Sequence, residues 1–383
     1  MYNRSLATLV LVLISAISTL AAPPAKGPYQ VFVGTYTGAQ SKGIYTFQFD
    51  PATGKSSTPV LVAETENPSF LAVDPQHRFL YAANETHNYQ GTTSGAVSVF
   101  TIDLASRKLN FQQQISSLGG DPCYVTLDRT GRFVLVANYT GGNVAIFPTL
   151  DNGRLGEHTA LDQHTGVSLN HDRQEGPHAH AIQMTADNRF ALSADLGNDR
   201  VIISRFDPAR GTLSPNQPPF AAAEPGSGPR HVAFSPSGKF VYVLNELTTS
   251  VTVFSFDPRA GATRALQTID TVDKHDPANT SAEIAIDAAG RFLYTSTRHD
   301  DSIAVFKIAS DSGKLTLVER KPSIGKTPRF FTLDPTGQWM LVAGQDSNDI
   351  VLFRVDKSTG KLTPTDTRIP VGSPVCLVFV PAS

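Results

Sequence analysis

Apolar and polar residues alternate over short stretches along most of the chain, and the stretches come in copies. Six segments align with one another: FLAVDPQHRFLYAANE (70–85), YVTLDRTGRFVLVANY (124–139), AIQMTADNRFALSADL (181–196), HVAFSPSGKFVYVLNE (231–246), EIAIDAAGRFLYTSTR (283–298) and FFTLDPTGQWMLVAGQ (330–345). Each holds an alternating run, a turn of the Asp-Pro-x-Gly-Arg-Phe kind, and a second run rich in aromatic and β-branched residues. That is the period-2 signature of two antiparallel strands. Asp or Ser with Pro and Gly supplies the backbone angles of a tight connection. A third apolar run follows in most copies, for example GAVSVFTID, TSVTVFSFD and NDIVLFRVD. Turns such as PATGKSS then lead into a fourth.

Copies recur every ~46 to 57 residues, the length of one four-stranded propeller blade. A seventh copy is split, with SPVCLVFVPAS near the end of the chain and YQVFVGTY near its start. Joining the two completes a blade and closes the ring, which removes exposed sheet edges. The pattern therefore predicts an all-β, seven-bladed β-propeller over residues 23–383, with one blade closed by the N- and C-terminal strands.

The same register predicts where chemistry sits. The position opening the first strand of each copy holds Ser69, Cys123, His180, Arg230, Ala282, Arg329 and Val375. The position closing the second holds Tyr36, Glu85, Tyr139, Leu196, Glu246, Arg298 and Gln345. In an antiparallel pair both positions fall at the same end of the sheet. One channel mouth should thus gather His180, Arg230, Arg329, Arg298, Glu246 and Glu85, which a purely structural repeat does not need.

Composition narrows the picture. The 32 Lys and Arg nearly balance 34 Asp and Glu, so nothing points to a nucleic acid or an acidic membrane as partner. The abundance of Gly (29), Pro (26) and Phe (22) suits short strands and turns. At the N-terminus, Arg4 precedes the apolar run LATLVLVLISAISTL (6–20) and then AAPP. This reads as a signal peptide over residues 1–22, cleaved near Ala21 or Ala22, because a membrane span needs roughly 20 apolar residues. Export to the periplasm or medium is expected, with no membrane association after cleavage. Cys123 and Cys376 fall in blades that are not neighbours, so both are expected to be free and packed.

The segment EGPHAHAIQ (175–183) carries two of the ten histidines. On a strand, His178 and His180 would share a face, the start of a zinc site. No third His falls at a matching position except His231, which strict alternation aims away from the channel axis. No metal is therefore expected, and acid–base chemistry or a structural role remains for His180.

The segments DRQEGPHAHAIQMTADNRFALSADLGNDRV (172–201), GPRHVAFSPSGKFVYVLNEL (228–247), SAEIAIDAAGRFLYTSTRHDDSIAVF (281–306) and TPRFFTLDPTGQWMLVAGQDSNDIVLF (327–353) resemble the lactonase family of seven-bladed propellers. That family includes the propeller-type 6-phosphogluconolactonases and the carboxy-muconate lactonizing enzyme. The resemblance implies hydrolysis of a sugar-acid lactone without metal or organic cofactor, with His180 (or His178), Arg230, Glu246 and Arg298 as the active-site groups. Its small-molecule partner would be an acidic or phosphorylated lactone, and a monomer is expected. A neutral imidazole suits the base role. Glu246 could share that role or orient the imidazole, while Arg230, Arg298 and Arg329 suit a carboxylate, phosphate or oxyanion. The bland reading of the arginines is an ion-pair ring with Glu246, Glu283 and Glu85. Arg329, His178, Arg173, Glu85 and Glu283 are the expected substrate-binding residues, with His178 behind the wall of the pocket. The polar segment from Leu150 to Gly176 reads as a lid-length loop, with Arg173 and Glu175 near the mouth and His158, His164 and His171 solvated. Asp195 and Asn245 read as turn caps. Two other functions fit the same residues: a non-catalytic exported propeller that binds a sugar acid or a protein, and a lactonizing isomerase of the muconate type.

Overall fold

The computed structural model describes residues 27–382; the predicted signal peptide lies outside them. Seven antiparallel sheets form the fold, six with four strands and a seventh in which the outer strand is divided into Lys55–Ser56 and Val60–Glu64. Blade 1 starts at Pro68–Val73, and blades 2 to 6 start at Pro122–Leu127, Ala179–Met184, Pro229–Phe234, Thr280–Ile286 and Pro328–Leu333. Blade 7 is the predicted split copy, in which Pro374–Pro381 pairs antiparallel with Tyr29–Thr35. The innermost strands touch one another in ring order, including the last with the first.

Each first hairpin is built the same way. The side-chain oxygen of Asp74, Asp128, Thr185, Ser235, Asp287 or Asp334 accepts the backbone N–H of the aromatic residue five positions later, at 2.6–3.1 Å. This is why a short oxygen-bearing residue opens every copy of that turn. The core lies between blades rather than in one centre. Tyr81 and Val99 of blade 1, for example, pack with Val134 and Phe147 of blade 2.

The seams repeat as well. In every blade but blade 1, the turn glycine before the outer strand sits against the aromatic ring that opens the second strand of the preceding blade, as Gly211 does on Phe133, Gly313 on Phe240 and Gly360 on Phe292. A tyrosine hydroxyl reinforces several seams by donating to that glycine's carbonyl, as Tyr242 does to Gly313 at 2.9 Å. Cys123 and Cys376 are both free and buried.

One part of the expected lid is corrected. Ala160–Gln163 is the outermost strand of blade 2, so only residues 164–176 form a strap. Nor is His164 solvated, although His158 and His171 are exposed. His164 is buried with Nδ1 2.7 Å from Asp195 Oδ2, because the strap is docked on blade 3.

Candidate active site

All seven first strands carry a β-bulge, and each falls at the position singled out by the repeat register. Ser69, Cys123, His180, Arg230 and Arg329 are each skipped in the pairing with the second strand, as is Val375. In blade 5, Ala282 and Glu283 together face Ser296. A bulge places one extra residue on the strand and re-aims the side chains beside it. Consecutive residues can then both turn inward, and a second layer forms one residue below the mouth.

That second layer corrects the expectation for His231. Alternation aimed it off the axis, yet it is buried with its ring 5.3 Å from those of His180 and Tyr124 and 5.9 Å from Phe70. Arg230 Nη1 lies 3.2 Å from His231 Nε2, and Glu283 Oε1 lies 3.2 Å from His231 Nδ1. A guanidinium can only donate. His231 is therefore neutral, taking a hydrogen bond at Nε2 and giving one from Nδ1 to Glu283. Glu283 sits in this deeper layer and not among the mouth arginines.

Glu246 is the hub of the mouth. Its carboxylate is buried and receives Arg173 Nη2 on Oε1 at 2.7 Å, with Arg230 Nε and Arg298 Nη2 on Oε2 at 2.8 and 3.0 Å. His180 Nε2 stands 3.9 Å from the same Oε2, beyond hydrogen-bond length. Burial alone would raise the Glu246 carboxyl, but Arg298, Arg230 and Arg173 outweigh it and hold it well below the usual carboxylate range. Burial, followed by the charge of Arg230, pushes His180 well below the ordinary imidazole value, so it is neutral at pH 7. Burial also lowers Arg298 to about 10.

The opposite side of the mouth is looser. Arg329 lies over the Tyr36 ring at 5.1 Å, with Nη2 3.9 Å from Glu85 Oε1, while the Tyr36 hydroxyl donates to Glu85 Oε2 at 2.8 Å. The predicted residues thus come together in two groups, with four guanidiniums facing two carboxylates. The arginines on Glu246 are largely committed, while among the described residues Arg329 makes a long ion pair and a ring contact. A small cavity beneath, lined by Ser69, Cys123, Arg230 and Arg329 among others, has room for about one water.

His178 backs the site rather than lining it. Its ring stacks on Tyr139 at 4.4 Å, Nδ1 is 3.1 Å from the Tyr139 carbonyl, and Nε2 is 3.1 Å from Glu175. Tyr139 was passed over in the sequence, yet its hydroxyl accepts from Arg173 Nη2 at 3.1 Å and its ring meets His180 edge-on. Cys123 is the other omission, with Sγ 3.6 Å from His180 Nδ1. Both occupy register positions at the mouth, so position rather than residue type was the signal. Among the described residues, no group of three or more His, Cys, Asp or Glu side chains is placed to hold a metal ion.

The fold is a closed seven-bladed propeller, and one mouth of its ring gathers a neutral buried imidazole, a buried carboxylate and clustered arginines. The chain belongs to the lactonase family of seven-bladed β-propellers, whose family model matches residues 30–379, and it is a lactone-hydrolysing enzyme. It is 35% identical over 304 residues to the 6-phosphogluconolactonase of Bacillus subtilis, covering 79% of this chain and 84% of that one. A 6-phosphogluconolactonase of Formosa agariphila is 32% identical over 307 residues, 79% of this chain and 86% of its own. The solved structure of a periplasmic gluconolactonase from Pseudomonas aeruginosa superposes with a TM-score of 0.87 at 35% identity, covering 93% of this chain and all of that one.

Proposed function

We propose that this protein hydrolyses the lactone of a sugar acid at the Glu246 mouth, without a metal, as an exported enzyme whose residues 1–22 direct it out of the cytoplasm. The observation that carries the reading is one neutral histidine beside one carboxylate that three arginines hold ionised. Export is supported by the apolar run after Arg4 and by the likeness to a periplasmic gluconolactonase.

In this mechanism His180 is the base. The Cys123 thiol donates to the His180 carbonyl oxygen (3.4 Å) and its sulfur faces Nδ1 (3.6 Å). That arrangement favours the proton on Nδ1 and leaves the Nε2 lone pair for water. Nε2 takes a proton from the water as its oxygen attacks the lactone carbonyl. The resulting oxyanion is stabilised by guanidinium donors of Arg230 and Arg298, which are already fixed by Glu246 and need no reorganisation. The ring C–O bond then breaks, and the imidazolium returns its proton to the departing alkoxide, giving the open hydroxy acid. Glu246 is a poor base, because its own proton affinity is held so low. Its role is to neutralise and aim the arginines and to stabilise the imidazolium. Arg329, the least committed cation, receives the acidic group of the substrate.

The test is hydrolysis of glucono-δ-lactone and 6-phosphoglucono-δ-lactone by the mature chain, with a chelator control. His180→Ala and Glu246→Gln should each lower kcat/KM by about 10²-fold or more. Unchanged turnover in both variants would sink this mechanism, and loss of activity with chelator would sink its metal independence.

A further inference from the structure

The three arginines that converge on Glu246 come from different parts of the chain, and two of them depend on irregular backbone. Arg173 is carried by the strap of residues 164–176, and Arg230 follows the turn of residues 224–228 by two positions. Neither segment is held by a sheet ladder. Both are held by one side chain, Asp199.

Asp199 lies in the turn between Phe190–Asp195 and Arg200–Asp207 of blade 3, and it is buried. Its backbone φ is 56°, a left-handed conformation that Asp tolerates when local hydrogen bonds hold it. Oδ1 accepts the Gly228 N–H at 2.7 Å and the Gln174 side-chain amide at 2.9 Å. Oδ2 accepts the Gly226 N–H at 2.6 Å and the Ser168 hydroxyl. Two of these donors belong to the strap and two to the turn before Arg230.

The consequences reach the hub directly. Gln174 is fully buried and adjacent to Arg173, which bonds Glu246 Oε1. Gly228 leads through one proline to Arg230, which bonds Glu246 Oε2. The Gly228 carbonyl also accepts the backbone N–H of Glu246 at 2.7 Å. Other strap anchors, such as Asn198 Nδ2 on the Thr165 carbonyl at 3.2 Å and the His164–Asp195 pair, do not touch the Gly228 turn. Among the described residues, Asp199 bonds both segments from outside the hub, whereas Glu246 meets them at the hub itself.

We propose that Asp199 is a positioning residue for the reaction, setting from one buried carboxylate the approach of Arg173 and Arg230 to the two oxygens of Glu246. The proposal rests on the reading of the Glu246 mouth as the reactive site. Asp199→Asn keeps the shape but presents an NH2 to groups that need an acceptor, and the Gly226 and Gly228 N–H groups cannot reverse. Ser168→Ala removes only a strap-side bond.

Two measurements on the full mature chain decide it. In hydrogen–deuterium exchange, Asp199→Asn should speed exchange in segments 164–176 and 224–230 together, with other blades unchanged; wild-type exchange in both segments would overturn the proposal. In a double-mutant cycle on glucono-δ-lactone hydrolysis, Ser168→Ala should lower kcat/KM about fivefold, the size of one ordinary hydrogen bond. It should have no further effect once Arg173→Ala is present. An equal loss in both backgrounds would mean that Ser168 and Asp199 only cap loops. Should the wild type hydrolyse no lactone, the functional reading fails, and the exchange measurement still decides whether Asp199 couples the two segments.

Discussion

At the scale of single residues, the mouth works through opposed shifts of two neighbours. Burial and nearby cations keep His180 unprotonated, while the arginines overcome burial to keep Glu246 ionised. The deprotonated imidazole is the active form, so kcat/KM should be flat near neutrality and fall on the acid side, at a pH below the ordinary histidine value of 6.5. A pH–rate profile of the free enzyme checks this, and an acid limb above that value would contradict His180 as the base. Stability follows the same groups. His180 and His231 both have lowered folded-state values, so their contributions are intact above pH 6.5 and decline as pH falls below it. Glu246 adds a second decline below its ordinary value of 4.5, as its arginine pairing is lost. Glu246→Gln removes the carboxylate on which three guanidiniums converge. It should cost about 3–5 kcal/mol in urea unfolding at pH 7, the range found when one partner of a buried ion pair is deleted.

At the scale of elements, the bulge separates what the sequence could reveal from what it could not. Repeat alignment located the mouth correctly because the register counts residues along equivalent strands, and a bulge present in every blade shifts all of them alike. The same bulge defeated the alternation rule at His231, since a skipped residue leaves two neighbours pointing inward, and it set Glu283, expected at the mouth, beside His231 in the deeper layer. Tyr139 and Cys123 stood in the aligned columns but carried no obvious charge to mark them. The docking of the strap was illegible for another reason. It depends on Asp195 and Asp199 meeting backbone and side-chain groups far along the chain, and no local periodicity encodes that. The His231 arrangement is testable in its own right. Glu283→Gln keeps an acceptor for His231 Nδ1 and should change stability by less than about 1 kcal/mol. His231→Leu removes one partner each from Glu283, which keeps the Ile284 N–H, and from Arg230 Nη1, which keeps the Ala282 carbonyl, and should cost about 1–3 kcal/mol, read from denaturant midpoints.

At the scale of the whole molecule, the ring is only as regular as its seams. The turn before the outer strand holds a left-handed glycine at Gly54, Gly153, Gly211, Gly261, Gly313 and Gly360, each pressed against an aromatic ring of the preceding blade. Adding a methyl group at Gly313 would bring it within 2.3 Å of Phe240 at φ +69°. Gly313→Ala should therefore destabilise by about 2–4 kcal/mol, through overpacking and backbone strain acting together. Gly38→Ala, with nothing within 4 Å, is the neutral comparison. Blade 1 breaks the pattern, because Arg107 occupies the equivalent turn position at φ 57°. Its side chain is exposed, so little packing is lost when it is removed. The left-handed conformation costs a non-glycine residue about 1–2 kcal/mol, whereas glycine's extra freedom in the unfolded chain costs about 0.4–1 kcal/mol. Relief of strain is the larger effect. Arg107→Gly should stabilise the protein by about 0.5–1 kcal/mol, seen as a higher urea midpoint with an unchanged slope, and a lower midpoint would mean that the Arg107 stem contributes packing at this seam.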